Sequence, residues 1–124
     1  MARAAKGKLN ARWNAGANAR AAWAAKAATV AGQVKTAAQG AATQLKNRFK
    51  GPGVAPAVRA NNKVAAVAQQ AVVANNRVVK SPNSPAAVTA AVVANQKLNT
   101  VMQAAVQPNK VVAANINKNK IVPK

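Results

Sequence analysis

The sequence predicts an all-α protein: a long N-terminal amphipathic helix, a GPG hinge, two further helices forming a helical hairpin or open bundle, and an extended C-terminal tail, the whole elongated rather than globular. Three observations predict it. Residues 1–50 contain no proline and carry an apolar stripe at helical spacing. GPG at Gly51–Gly53 and SPNSP at Ser81–Pro85 cut the remainder into helix-length segments. Finally, the apolar fraction of 51% is mostly Ala and Val, with Trp13, Trp23 and Phe49 the only aromatics and Leu9, Leu45 and Leu98 the only leucines. Alanine buries little area, at roughly 25 cal/mol per Å². Such a composition suits helices that find part of their burial on a partner.

Four segments follow: a basic amphipathic helix over 1–50, a hinge at 51–55, a two-helix segment over 56–107 and an extended basic tail over 108–124. In the first, Leu9, Trp13, Gly16, Arg20, Trp23, Ala27, Val30, Val34, Ala37 and Ala41 alternate at spacings of four and three, and Leu45 and Phe49 continue the stripe. Leu9, Trp13, Trp23, Val30, Val34, Leu45 and Phe49 are therefore the expected packing residues. Pro52 ends the helix between two glycines, and Pro56 suits the first turn of the next, which runs to about Val79. Its valines favour strands, but the frequent alanines favour helix. Ser84 as N-cap with Pro85 at the first helical position starts a third helix. Pro108 is expected to close it. AVVAN at Ala71–Asn75 recurs at Ala91–Asn95, and VVAAN follows at Val111–Asn115. In an Ala/Val-rich chain this is a weak repeat.

The charge is one-sided: 19 Lys and Arg, no Asp, Glu or His, and a net charge of +19. An ordinary chain of this length carries about 15 acids. Instead there are 15 Asn and 8 Gln. Some sit where acids would support a helix: Gln44–Arg48 and Asn76–Lys80 have the acid-before-base spacing of a stabilising pair. Two readings compete. Either the chain is a polyanion binder without acids to repel phosphate, or Asn and Gln stand for acids of the same shape, in which case the charge is near zero.

The inventory removes the usual general acids and bases, metal ligands and triad members, and without Cys there is no thiol chemistry. No enzyme, cofactor, metal or small-molecule substrate is expected, and no nucleotide-binding loop or zinc spacing is present. The longest uncharged apolar stretch, Ala86–Ala94, has nine residues, against about 20 for a membrane span. The N-terminal MARAAKGKLNARWNAGANAR looks like an organelle transit peptide, although the whole chain shares its lack of acids.

The expected function is that of a non-enzymatic structural component of a large assembly, a virion or ribonucleoprotein particle. It would touch other protein subunits and contact the RNA or DNA backbone without reading sequence. The expected phosphate contacts are Arg3, Lys6, Lys8, Arg12 and Arg20 towards one terminus, with Lys110, Lys118, Lys120 and Lys124 towards the other. One alternative is a peripheral amphipathic helical protein on an anionic membrane, anchored by Trp13 and Trp23. Another is a near-neutral helical assembly subunit whose acids are recorded as Asn and Gln. The expected location is inside such a particle, with an organelle as the second choice.

Overall fold

The structure, a computed structural model, describes Trp13 and residues 15–124. The first turns of the helix expected over 1–50, the packing residue Leu9 and the cations Arg3, Lys6, Lys8 and Arg12 lie outside the described residues. Three helices account for most of the rest: α1 (Ala17–Arg48), α2 (Val54–Lys80) and α3 (Pro85–Asn117). A short antiparallel strand pair, β1 (Phe49–Lys50) with β2 (Val122–Pro123), joins the end of α1 to the C-terminal segment.

The sequence breaks act as the composition requires. Gly51 and Gly53 take φ of 144° and 89°, values that side-chain-bearing residues rarely adopt. A Cβ on Gly51 would also stand 2.6 Å from the Lys120 carbonyl oxygen. α2 begins at Val54, placing Pro56 in its first turn, and its valines remain helical throughout. At the next turn the Ser84 hydroxyl accepts from the Ala87 N–H, with Pro85 opening α3.

The three helices run in alternating directions, and α2 is central. Asn75 meets Asn95 and Asn61 meets Asn109 across α2 and α3, a constant sum of residue numbers that marks antiparallel packing. On the other side Lys35 of α1 reaches Gln69 of α2. α1 and α3 each pack along α2 but barely touch one another, so the bundle is open along one seam. The main core lies around Ala31, Ala38, Val64, Ala68, Leu98 and Val101. A smaller cluster at each end completes it: Val54, Ala57, Val112 and Ile121 at the GPG turn, and Ala24, Val78 and Ala91 at the opposite turn.

Two expectations are corrected. Pro108 lies inside α3, and the helix continues to Asn117. A helical proline costs roughly 3 kcal/mol, but Ala105 and Val112 are both buried, and Asn109 bonds back to the Ala105 carbonyl. Packing on both sides of Pro108 outweighs the lost N–H. The extended stretch is therefore not 108–124 but only the last few residues, following a turn in which Asn119 takes φ of 58°.

The second correction concerns α1. Its buried residues are Ala24, Ala28, Ala31, Ala38 and Ala42, each one position beyond a residue of the expected stripe, about 100° around the helix. Alanines let α1 lie close against α2, while the larger residues flank the contact. Trp23 and Val30, expected to pack, are 41% and 49% exposed. Val34 packs partly against the main core, and Leu45 and Phe49 against the GPG-end cluster.

Candidate functional site

Every described Lys and Arg is exposed or half-exposed, and no side-chain carboxylate exists to balance any of them. Among the described residues, a group of cations gathers at the GPG end. α1 delivers Lys46 and Arg48 in its last turn, β1 delivers Lys50, and α2 delivers Arg59 one turn beyond Pro56. The C-terminal segment then folds back onto them. Buried Ile121 anchors it beside Val54 and Val112, the Lys124 N–H donates to the Arg48 carbonyl at 2.8 Å, and Lys124 Nζ donates to the Lys46 carbonyl. Asn115 Nδ2 ties α3 to the turn by donating to the Pro52 carbonyl at 2.8 Å.

The result is an open depression of about 450 Å³ lined by Lys46, Lys50, Arg59 and Lys124. The start of α2 borders it, capped by Gly53 with no side-chain cap and no acid in the first turn. The positive end of the helix dipole thus adds to the four cations. Such an arrangement is one that can attract an anion by charge. Exposed, strongly hydrated ammonium groups suit phosphate oxygens as point charges, and Arg59 supplies a planar fork.

Of the cations expected from the sequence, Lys124 lines this site, Lys118 caps α3 and Lys120 lies beside Gly51 through its carbonyl. Lys110 is exposed on α3. Arg20 is engaged within the chain instead. Its guanidinium stacks 3.6 Å over the Trp13 ring and donates to the Pro82 carbonyl at 2.7 Å, to Asn83 Oδ1 at 2.9 Å and to the Trp13 carbonyl. Trp13 Nε1 donates to the Asn83 carbonyl at 2.8 Å. Together they clamp the start of α1 to the α2–α3 turn. Lys46, Arg48, Lys50 and Arg59 were missed by the sequence reading, although they flank the GPG turn in KNRFKGPGVAPAVR.

The amides behave as amides. Asn75 Nδ2 donates to the Ala71 carbonyl at 2.7 Å and to Asn95 Oδ1 at 2.8 Å, and Asn95 Nδ2 returns a bond to Asn75 Oδ1 at 3.1 Å. Asn61 and Asn109 form the same reciprocal pair at 2.9 and 3.3 Å. Gln44–Arg48 and Asn76–Lys80, which have the spacing of helical acid–base pairs, make no such bond. Among the described residues, a cation reaches a side-chain amide oxygen only at Lys35–Gln69 and Arg20–Asn83.

Fold and site together define, over the described residues, an open three-helix bundle with an acid-free surface on which four cations meet at one turn. The chain matches no known family model, no curated protein and no solved structure.

Proposed function

We propose that this chain is a non-enzymatic structural component of a large macromolecular assembly, such as a virion or ribonucleoprotein particle, holding nucleic acid through its phosphates without reading sequence. The observation that carries the reading is the convergence of Lys46, Lys50, Arg59 and Lys124 on one open site, in a chain without a single side-chain carboxylate. Uncompensated cations attract phosphate and release its condensed counterions on binding. Base reading needs donors and acceptors set against base edges, whereas this site presents point charges that any backbone satisfies.

The Asn61–Asn109 and Asn75–Asn95 pairs use the N–H donors of the amides as the sequence has them. An acid at residue 61, 75, 95 or 109 would lack the N–H that its partner accepts. The membrane-surface alternative needs an apolar face on α1 that can lie flat on a bilayer, not a recessed trough. Its buried face is taken by α2, and Trp23 and Val30 front a seam shared with α3.

Competition binding tests the proposal. Unlabelled DNA and RNA of unrelated sequence should displace a labelled duplex with similar midpoints. A preference for one sequence above about a thousandfold, where specific readers begin, would overturn non-specific contact. Binding to anionic vesicles but to neither nucleic acid would favour the membrane alternative.

A further inference from the structure

We infer that the seam between α1 and α3 is a docking groove for an acidic amphipathic helix of a partner protein. The groove lies on a different surface from the cationic depression and goes beyond nucleic-acid contact. α1 and α3 both pack on α2 without closing on each other, leaving an apolar trough of about 500 Å³ that starts at Trp23. It continues past Val34 and Met102 into a second depression reaching Ala41. From Trp23 to Ala41 along α1 is about 27 Å at 1.5 Å per residue, the length of a five-turn helix.

The floor is small and the walls are large. Ala31, Ala38 and Leu98 are buried beneath the groove, whereas Trp23, Val30 and Met102 stand 41%, 49% and 39% exposed along it. An alanine floor lets an incoming helix approach to the usual 8–10 Å between axes, and the walls offer apolar area for its nonpolar stripe.

Charge selects the occupant. A second copy would bring another +19 and no carboxylate to meet it, so self-association through this seam is opposed by repulsion. A nucleic-acid strand would set phosphates against a mostly apolar lining whose polar groups are Lys26, Asn95 and Asn99, with Asn61 and Asn109 further along. A helix with one apolar face and acidic flanks satisfies both features: its stripe covers Trp23, Val30 and Met102, and its carboxylates face Lys26 on a chain of net charge +19.

The test titrates the full chain, isotope-labelled for NMR, with an 18-residue peptide of Leu, Ala and Glu whose leucines recur at helical spacing. A scrambled peptide of identical composition is the control, at about 0.15 M ionic strength, where the Debye length is about 8 Å. The patterned peptide should shift the Trp23 indole and the Val30, Leu98 and Met102 side chains, and should bind at least about tenfold tighter than the scrambled one. Met102→Glu should lose at least about tenfold, while Val93→Glu, the same charge change on an exposed residue outside the groove, should stay within about twofold. Val30→Glu serves as a second groove variant, with circular dichroism confirming the fold of each. Equal binding of the two peptides, or equal effects of Met102→Glu and Val93→Glu, would show a diffuse charge effect and overturn the proposal. So would a free chain that sediments as a dimer broken by Met102→Glu, or single-stranded DNA that shifts the groove residues as the peptide does.

Discussion

Asn75 has no exposed surface, yet its amide is fully occupied: two bonds leave Nδ2 and one arrives at Oδ1. Asn61 is bound in the same way fourteen residues earlier, and their partners Asn95 and Asn109 are also fourteen residues apart. Two heptads separate the pairs, so sliding α3 past α2 by one turn would strand four amides in an apolar seam. A polar residue buried at a helix–helix contact fixes register in this manner. An acid could not replace the donor. Asn75→Asp would place a carboxylate against the Ala71 carbonyl and Asn95 Oδ1, and is expected to destabilise the fold by about 3 kcal/mol or more at neutral pH. Burial raises the introduced carboxyl's pKa above its unfolded value of about 3.9. The variant should therefore come closest to the parent below that pH and fall behind as pH rises. Urea unfolding at pH 3.5 and pH 7 measures this; an equal and small loss at both would mean that the amide pair does not hold the interface.

At the scale of elements, α1 is a helix held by alanines rather than by a bulky stripe. Its glycines Gly32 and Gly40 have nothing within 4 Å of an added Cβ. Gly32→Ala and Gly40→Ala should each stabilise the protein by about 0.5–1 kcal/mol. Gly51→Ala should lose about 1–3 kcal/mol, because φ of 144° and the Lys120 carbonyl both oppose a side chain. Thermal unfolding of the three variants checks the signs, and stabilisation by Gly51→Ala would contradict the packing of the C-terminal segment on the turn. The GPG and SPNSP breaks were legible in the sequence because their chemistry is local: a proline, a glycine and a capping hydroxyl act within a few residues. The rest was not, because it depends on partners far along the chain. Whether Pro108 ends a helix is decided by what buries Ala105 and Val112. Which face of α1 is inside is decided by the close approach of α2. The asparagine of each AVVAN motif was visible, but only antiparallel packing makes Asn75 and Asn95 partners. Likewise Lys124 joins Lys46, Lys50 and Arg59 only through the β1–β2 pairing and the burial of Ile121.

For the whole molecule, charge is the dominant fact. With no Asp, Glu or His, the chain lacks the side chains whose protonation drives acid unfolding. Its stability in urea should be nearly flat from pH 7 down to about pH 4. A steep loss over that interval would mean that acids are present after all. Self-repulsion should make the fold more stable as salt rises, opposite to a protein held by surface ion pairs. Melting temperatures compared at low and high ionic strength read this directly. The central claim, that the cationic turn holds phosphate, is tested most directly by the salt dependence of DNA binding, measured for the parent and for a variant carrying Lys46→Gln, Lys50→Gln, Arg59→Gln and Lys124→Gln. Each phosphate neutralised on duplex DNA contributes about −0.9 to the slope of log K against log salt. The parent should show a steep negative slope, and the variant should lose about three to four units of it. An affinity that barely changes with salt, or a slope left unchanged by the four substitutions, would contradict the account.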